Sequence, residues 1–228
     1  MKLLIILPAF NEAKVICEVL LKIKKISIKL PLTTEICVVD DGSIDKTAAV
    51  ARSAGVTVLN HVINRGLGAS LSTGLEYAKS INADFAITLD SDGQHDPEDI
   101  LKVLTPLLKN RADMVIGSRL LQNYGSMPLL RRINNYLFNL LTQILFGVTT
   151  TDSLSGFRGF NRRALQLIEL KTDRMEVSNE FFSEIKRHHL KFTEVPIQVI
   201  YTKYSTRKGQ PASNVFAILF RLVLRLLR

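Results

Sequence analysis

Short apolar segments alternate with amphipathic segments along the first half of the chain. Strands that are apolar throughout, without a polar residue at every second position, are typical of parallel sheets covered by helices on both faces. The pattern therefore predicts an α/β fold with a Rossmann-like, mainly parallel sheet flanked by helices. The predicted strands are Leu3–Leu7, Glu35–Val39, Val56–Leu59, Phe85–Leu89 and Met114–Ile116, and the predicted helices are Glu12–Ile26, Asp45–Ala54, Gly68–Ser80 and Pro97–Lys109.

Polar residues follow four of these strands at the point where each strand ends. The four clusters are Pro8–Glu12, Asp40–Ser43, Asp90–Gln94 and Gly117–Arg119. Parallel sheets of this kind bind ligands at the carboxyl ends of their strands. We therefore expect one site, built from four loops.

Asp90, Asp92 and Gln94 are separated by one residue each, directly after a buried strand. Two carboxylates this close repel each other and raise each other's pKa unless a cation lies between them. Their hard oxygen atoms suit Mg²⁺ or Mn²⁺ and not zinc. The alternative is a turn whose carboxylates are simply solvated. The position at the end of a central strand favours a metal site formed by all three residues.

Asp40 and Asp41 supply two further carboxylates at a second strand end. A helix cap by Ser43 or Asp45 would explain part of this cluster. Its position beside the first carboxylate pair favours recognition of the hydroxyls and the base edge of a nucleotide.

The segment Asn64–Gly68 opens a predicted helix, where backbone amides could face an anion. It lacks the Gly-Lys-Ser/Thr ending of a phosphate-binding loop. We therefore interpret its glycines as a requirement of close helix packing. The four histidines show no pairing pattern and are predicted to lie at the surface; they are His61, His95, His188 and His189.

The formal net charge of +9 over 228 residues calls for an anionic partner, which would be nucleic acid, a phosphate-bearing ligand or a membrane surface. The apolar fraction of 46% is ample for a hydrophobic core. Several basic residues lie in segments with almost no acids, which favours phosphate ligands gripped by arginine forks. These residues are Arg119, Arg131, Arg132, Arg158, Arg207 and Lys208. No nucleic-acid-binding motif accompanies them, so we expect no nucleic-acid partner.

The second half of the chain has a long helical pattern over residues 129–147, with Asn135, Asn139 and Gln143 on one stripe, and a β-like pair near Phe192–Tyr201.

The last 14 residues are apolar except for three arginines on one helical face. A helix of this length, at ~1.5 Å per residue, is about 21 Å long, which is shorter than the ~30 Å hydrocarbon core of a membrane. We expect a catalytic domain over residues 1–212 and an amphipathic membrane-surface helix over 213–228, unless a longer chain continues it into a membrane span. No signal peptide is recognised at the start, so a cytoplasmic protein peripheral to the membrane is expected.

Five motifs follow one another along the chain: Pro8-Ala9-Phe10-Asn11-Glu12, Asp40-Asp41-Gly42-Ser43, Asn64-Arg65-Gly66-Leu67-Gly68, Asp90-Ser91-Asp92-Gly93-Gln94 and Gly117-Ser118-Arg119. In this order they resemble a family 2 glycosyltransferase of the GT-A fold, and the resemblance covers nearly the whole chain. Two later stretches, Ser155–Arg158 and Tyr204–Lys208, resemble the dolichyl-phosphate mannosyltransferase branch, which includes polyprenyl-phosphate glycosyltransferases.

The resemblance implies a nucleotide-sugar donor, a polyprenyl-phosphate acceptor and a role for each motif. The metal, Mg²⁺ or Mn²⁺, would bind the donor diphosphate. Arg119 and Arg131 would face the acceptor phosphate, with Arg132 as an alternative to Arg131, and Lys208 would approach the donor phosphates. The remaining substrate-binding residues implied are Pro8, Asn11, Glu12, Asp40, Asp41, Ser155 and Arg158. The implied catalytic residues are Asp92, Arg119 and Arg131.

The acceptor determines whether the reaction needs a base. A lipid monophosphate has its second pKa near ~6, so its oxygen is already a nucleophile at neutral pH. A sugar hydroxyl would need a base, for which Asp152, Glu176 and Glu180 are candidates. We expect GDP-mannose or a UDP-hexose as the donor, inversion at the anomeric carbon and a lipid phosphate as the acceptor, with a membrane-embedded partner protein as a further possibility. The alternatives are a same-fold transferase acting on a glycan or protein hydroxyl and, more distantly, a nucleic-acid-binding protein.

Overall fold

A seven-stranded sheet forms the centre of the chain. The computed structural model describes residues 1–121 and 129–200, with the backbone alone at 129–131. The strands are β1 (Lys2–Ala9), β2 (Thr33–Asp40), β3 (Thr57–Asn60), β4 (Phe85–Thr88), β5 (Met114–Ser118), β6 (Arg158–Asn161) and β7 (Phe192–Pro196), in the order β3-β2-β1-β4-β6-β5-β7. The pairs β1–β2, β1–β4, β2–β3 and β5–β7 are parallel. The predicted α/β fold with a mainly parallel sheet is confirmed.

Helices cover both faces of this sheet. They are α1 (Ile16–Ser27), α2 (Thr47–Ser53), α3 (Leu67–Ser80), α4 (Ile100–Leu108), α5 (Leu129–Phe146), α6 (Arg162–Leu167) and α7 (Val177–Arg187), with a 3₁₀ turn at Pro97–Asp99 before α4. Alternate residues of β1 point to opposite faces, so Leu3 and Ile5 pack in one core and Leu4 and Ile6 in the other. Every strand that precedes a site loop is therefore fixed by packing on two sides.

The sheet departs from the prediction at two strands. β6, in a stretch where no strand was predicted, runs antiparallel between β4 and β5 and separates them. The expected β-like pair near Phe192–Tyr201 is a single described strand, β7, followed by an isolated bridge between His95 and Val199. A four-residue strand containing arginine and glycine has little β propensity of its own, so its pairing depends on the two neighbouring strands.

Helix α5 has an unusual distribution of polar and apolar side chains. Asn135 and Thr142 are buried, whereas Tyr136 and Ile144 are 67% and 70% exposed. An ordinary surface helix buries its apolar face. Asn135 and Asn139 of the predicted stripe therefore face the protein, where they bond Asp152 and the Thr151 carbonyl, whereas its third member, Gln143, is exposed. An apolar face, completed by Ile133, Leu137 and Leu140, points outward. No helix in the described ranges is long and apolar enough to cross a membrane.

Candidate active site

The loops after β1, β2 and β4 lie against one another at the carboxyl edge of the sheet. The Asn11 N–H donates to Ser43 Oγ at 2.9 Å, and the Ile44 N–H donates to Asn11 Oδ1 at 3.0 Å. Ser91 Oγ donates to the Pro8 carbonyl at 2.7 Å. Three of the four predicted strand-end clusters are thus joined by direct hydrogen bonds, and Asn11 adopts a left-handed backbone conformation (φ 55°) at the junction.

Asp92 lies in surroundings that oppose its negative charge. Its Oδ1 accepts the Gln94 N–H at 2.9 Å, and its Oδ2 accepts from Gln94 Nε2 at 2.7 Å. The pKa of Asp92 is raised above its ordinary value, chiefly by burial and then by the charge of Asp90, with a smaller contribution from Glu12. Asp90 and Asp92 therefore bring two carboxylates together with excess negative charge, and the expected role of Asp90, Asp92 and Gln94 as metal ligands stays a prediction.

The chemistry of this group fits a divalent cation bound together with a diphosphate. Among the residues that the structure describes, no three or more His, Cys, Asp or Glu side chains are arranged as a metal site by themselves. Mg²⁺ is usually held by one or two carboxylates and by substrate phosphate oxygens, because it keeps an octahedral shell that the protein does not complete. The carboxylates of Asp90 and Asp92 match this partial set.

Asp40 has one carboxylate oxygen with a partner and one without. Its Oδ2 accepts from Asn60 Nδ2 at 3.0 Å and from the Ser43 N–H at 3.3 Å. Its Oδ1 is buried and has no hydrogen-bond partner among the residues that the structure describes. A buried acceptor left unpaired costs free energy, so a ligand that donates an N–H to it would be stabilised.

Asp41 has hydrogen bonds to both of its carboxylate oxygens. Oδ1 accepts the Arg65 N–H at 3.0 Å and lies 2.7 Å from His61 Nδ1, and Oδ2 accepts the Gly66 N–H at 2.7 Å. Asp41 therefore anchors the loop that opens α3, and its expected role in substrate binding stays a prediction. His61 contacts Thr73 Oγ1 through its other nitrogen at 2.9 Å, and its side chain is 9% exposed, so its predicted surface position is wrong.

The glycines of the Asn64–Gly68 segment are required by close packing, as predicted. A Cβ on Gly66 would lie 2.5 Å from the Asp173 carbonyl oxygen, and one on Gly68 would overlap the Thr172 carbonyl. The amino terminus of α3 is thereby pressed against the chain before α7.

Arg119 is held in one orientation by Asp152. Its Nε and Nη2 each donate to one oxygen of that carboxylate at 2.7 Å, and its backbone N–H donates at 3.0 Å. Asn135 Nδ2 adds a bond of 3.0 Å. Burial alone would raise the pKa of Asp152, but the charge and hydrogen bonds of Arg119 and the bond from Asn135 together hold it below its ordinary value. The Arg119 side chain remains 20% exposed.

Ser155 and Arg158 lie behind the site, inside the protein. Ser155 Oγ donates to the Gly117 carbonyl at 2.6 Å, and neither residue is more than 1% exposed. The Arg158 guanidinium carbon lies 4.4 Å from the centre of the Phe181 ring, and Nη2 donates to the Ser153 carbonyl at 3.1 Å. Burial lowers the pKa of Arg158 to about 10, so it remains cationic at neutral pH. Direct contact of either side chain with a substrate stays a prediction.

Arg132 borders a cavity of about 270 Å³ beside α5. Its lining combines polar and apolar side chains: Leu120, Arg132, Tyr136, Asn139, Leu140, Gln143, Thr150 and Thr151. The side chain of Arg131, residue Lys208 and the segment 213–228 lie outside the described part of the chain.

The family follows from the match of residues 4–168 to the model described as glycosyl transferase family 2. This chain belongs to that family. It is a glycosyltransferase, as the motifs predicted.

Two relatives align with the glycosyltransferase over almost its full length. An uncharacterized protein of Methanocaldococcus jannaschii is 44% identical, with 98% of this chain and 92% of the relative covered. UDP-N-acetylglucosamine–dolichyl-phosphate N-acetylglucosaminyltransferase of Methanococcus voltae is 33% identical, with 96% and 94% covered.

A solved structure confirms the GT-A fold. Glucosyl-3-phosphoglycerate synthase from Mycobacterium tuberculosis, in complex with Mn²⁺ and UDP-glucose, superposes with a TM-score of 0.72. The match covers 99% of this chain and 78% of that protein, at 20% identity. At this identity the comparison supports the fold alone.

One buried residue beside the carboxylates of the glycosyltransferase was missed from the sequence. His95 Nδ1 lies 3.3 Å from the Asp90 N–H, its Nε2 lies 3.7 Å from Asp90 Oδ2, and the residue is 3% exposed. Its ring packs against Phe157, with 5.3 Å between ring centres. The available signal was its position one residue after Gln94, and the prediction of a surface histidine is wrong here.

Proposed function

We propose that this glycosyltransferase moves a sugar from a nucleotide sugar to a polyprenyl or dolichyl phosphate at a membrane surface, with inversion at the anomeric carbon. The observation that carries the acceptor assignment is α5, whose Asn135 and Asn139 bond the loop that holds Arg119 and whose apolar side faces outward. Such a helix borders an aqueous phosphate site and an apolar lipid at the same time.

The donor nucleotide would lie over the loops after β1 and β2. The unpaired Asp40 Oδ1 would accept an N–H from the base, which both uracil and guanine can supply. Pro8, Asn11 and Glu12 would line the same pocket. The activity named for the Methanococcus voltae relative favours a UDP-linked donor over a GDP-linked one.

Asp90, Asp92 and Gln94 would hold Mg²⁺ or Mn²⁺ on the donor diphosphate. When bound, such a cation supplies stabilisation of the negative charge that develops on the departing nucleoside diphosphate. The role of the chain itself is to present both carboxylates at a fixed separation. Removing one of them should abolish turnover.

The acceptor phosphate would be oriented by arginines. Arg119 is held by Asp152 with its side chain 20% exposed, and Arg132 borders the cavity beside α5. Arg131 is proposed as a further partner. The apolar lining of that cavity, from Leu120 and Leu140, suits the first carbons of a lipid chain.

The proposed reaction needs no base from the protein. A phosphate oxygen of the acceptor attacks the anomeric carbon while the bond to the diphosphate oxygen breaks and its electron pair leaves with the nucleoside diphosphate. Two of the candidate bases for a hydroxyl acceptor are engaged elsewhere. Asp152 binds Arg119 and Asn135, and Glu180 accepts the N–H groups of Lys171 and Thr172 at 2.9 Å.

Calorimetry with UDP-glucose, UDP-N-acetylglucosamine and GDP-mannose tests the donor half of the proposal. We expect binding of one nucleotide class that requires Mn²⁺ in the wild type and is lost in Asp92→Asn. Metal-independent binding, or no binding of any donor, would contradict it. NMR of the product tests the stereochemistry, since an α-linked donor should give a β-linked glycosyl phosphate.

A further inference from the structure

The loop before β6 lies against the carboxylate of Asp90. Thr88 Oγ1 donates to the Gly156 carbonyl at 2.8 Å, which ties this loop to the end of β4. In the antiparallel register Thr88 lies opposite Arg158, two residues before Asp90. The segment that follows Ser155 is thereby placed beside Asp90, one of the proposed metal ligands.

Gly156 occupies the point of closest approach. A Cβ built on it would lie 2.8 Å from both Cγ and Oδ2 of Asp90, and closer still to Oδ1. Its three nearest heavy atoms are thus all from one carboxyl group. The backbone of Gly156 is outside the positive-φ region, so an alanine would be free of backbone strain there and its effect would come from the added methyl group.

We propose that Gly156 is a positioning residue for the donor site: the absence of its side chain creates the space in which the Asp90 carboxylate lies, beside Asp92. The inference rests on the proposed role of these carboxylates in holding a divalent cation. It gives the glycine of the Ser155–Arg158 segment a function through Asp90, without contact to substrate.

The buried neighbours of Gly156 support this assignment. Ser155 and Arg158 are fixed inside the protein by the Gly117 and Ser153 carbonyls, so the loop has a rigid base. Asp90, in contrast, has a side chain that is 39% exposed. When a methyl group is added at Gly156, the carboxylate is the part that can yield, by turning toward solvent.

Gly156→Ala should therefore leave the fold intact and displace one metal ligand. We expect binding of Mn²⁺ in the presence of UDP, and separately of GDP, to weaken roughly 10- to 100-fold, as when the support of a ligand is lost. The melting temperature should change little. Titration calorimetry of the full chain, with Mn²⁺ electron paramagnetic resonance as a second readout, measures the affinity without requiring turnover.

Gly159→Ala on the same loop and strand is a matched control. A Cβ there would lie 2.7 Å from Val103 Cγ1 and 3.0 Å from Leu107 Cδ1, in the core and away from Asp90. We expect the control to lower the melting temperature by several degrees through overpacking and to leave the Mn²⁺ affinity unchanged. Gly156→Ala should thus lose metal affinity and keep its stability, whereas Gly159→Ala should lose stability and keep its metal affinity.

Each other outcome overturns a defined part of the account. Unchanged Mn²⁺ affinity in Gly156→Ala would overturn this inference and leave the proposed function standing. A melting temperature that falls in Gly156→Ala as far as in Gly159→Ala would also overturn it, because the surrounding packing, and not the carboxylate, would then have yielded. A wild type that binds Mn²⁺ with neither nucleotide would overturn the proposed metal role and this inference with it.

Discussion

At the scale of single residues, the carboxylates of the site differ in what surrounds them. Asp92 is opposed by burial and by Asp90, Asp40 has an unpaired oxygen, and Asp41 and Asp152 have hydrogen bonds to both oxygens. An unfavourable environment is typical of a group that awaits a ligand, whereas a satisfied one is typical of a structural role.

Asp92→Asn should stabilise the metal-free protein while abolishing transfer. The pKa of Asp92 is higher in the folded protein than in the unfolded chain. Above the pKa of the unfolded chain, the carboxyl ionises more readily in the unfolded state, so it lowers the stability of the fold. Replacing it by a neutral amide removes this cost, which we expect to be about 0.5–2 kcal/mol at pH 7. Gln94 can turn its amide to keep one hydrogen bond. Thermal melting without metal measures the gain, and a lower melting temperature would contradict the proposed conflict between stability and function.

Asp40→Asn and Asp41→Asn form a contrasting pair. In Asp40→Asn the new amide nitrogen can take the unpaired position and present a donor to the nucleotide, so donor affinity should fall about 5- to 100-fold with little change in stability. In Asp41→Asn the new amide nitrogen replaces an oxygen that accepts a hydrogen bond, so a donor must face either the Gly66 N–H or the Arg65 N–H and His61. The lost bond should cost about 1–3 kcal/mol of stability. Calorimetry and thermal melting on both variants make the test. Equal loss of stability in the two would refute the distinction.

At the scale of elements, the loop of residues 149–152 is held by charged groups on both sides. Thr150 and Thr151 donate to Glu194 on β7, and Asp152 accepts from Arg119 and from Asn135 on α5. This loop connects the outward-facing helix to the sheet, so its stability determines the position of Arg119.

The Asp152–Arg119 pair should make stability dependent on acidic pH. The folded-state pKa of Asp152 is below its ordinary value near ~3.9, so the pair stabilises the fold above that value. Its contribution should be lost as the pH falls from about 4 through the folded-state pKa, as the carboxylate is protonated. Asp152→Asn should cost about 2–4 kcal/mol at pH 7, because it removes the buried carboxylate that accepts both guanidinium bonds of Arg119.

Melting curves between pH 7 and pH 2 on the wild type and Asp152→Asn measure this effect. The two curves should converge at the acidic end. A difference that stays constant down to pH 2 would show that the carboxylate charge is not the cause.

The apolar face of α5 should bind membranes. Replacing Leu137 and Ile144 together by glutamine removes exposed apolar surface, so the fold should keep its stability or gain slightly. Affinity for vesicles containing anionic lipid should fall by tenfold or more, since each such side chain contributes about 1.5 kcal/mol or more when buried in an apolar phase. Vesicle flotation measures the change. Lys109→Gln, directly after α4, removes one positive charge and serves as the control for a loss of binding caused by charge alone. Undiminished flotation of the double variant would exclude this face as the contact.

At the scale of the whole molecule, local sequence was enough to predict most of the sheet and the common edge of its polar clusters. Five strands and their helices were predicted because apolar runs and amphipathic periods are local properties. The antiparallel β6, the largely enclosed side chain of His61 and the interior position of Arg158 were not, because each depends on partners distant in sequence: β4 and β5, Asp41, and Phe181. The segment 213–228 lies outside the described residues, so the division of the chain at residue 212 remains a prediction.

Acceptor choice is the central claim, and a transfer assay in vesicles tests it most directly. Wild-type protein with Mn²⁺ and a labelled nucleotide sugar would be offered polyprenyl phosphate or the same polyprenol without its phosphate. We expect label to enter the lipid only when the phosphate is present, because the phosphate is both the nucleophile and the group that the arginines orient. Equal transfer to the polyprenol, or transfer to a glycan hydroxyl with none to polyprenyl phosphate, would contradict the account.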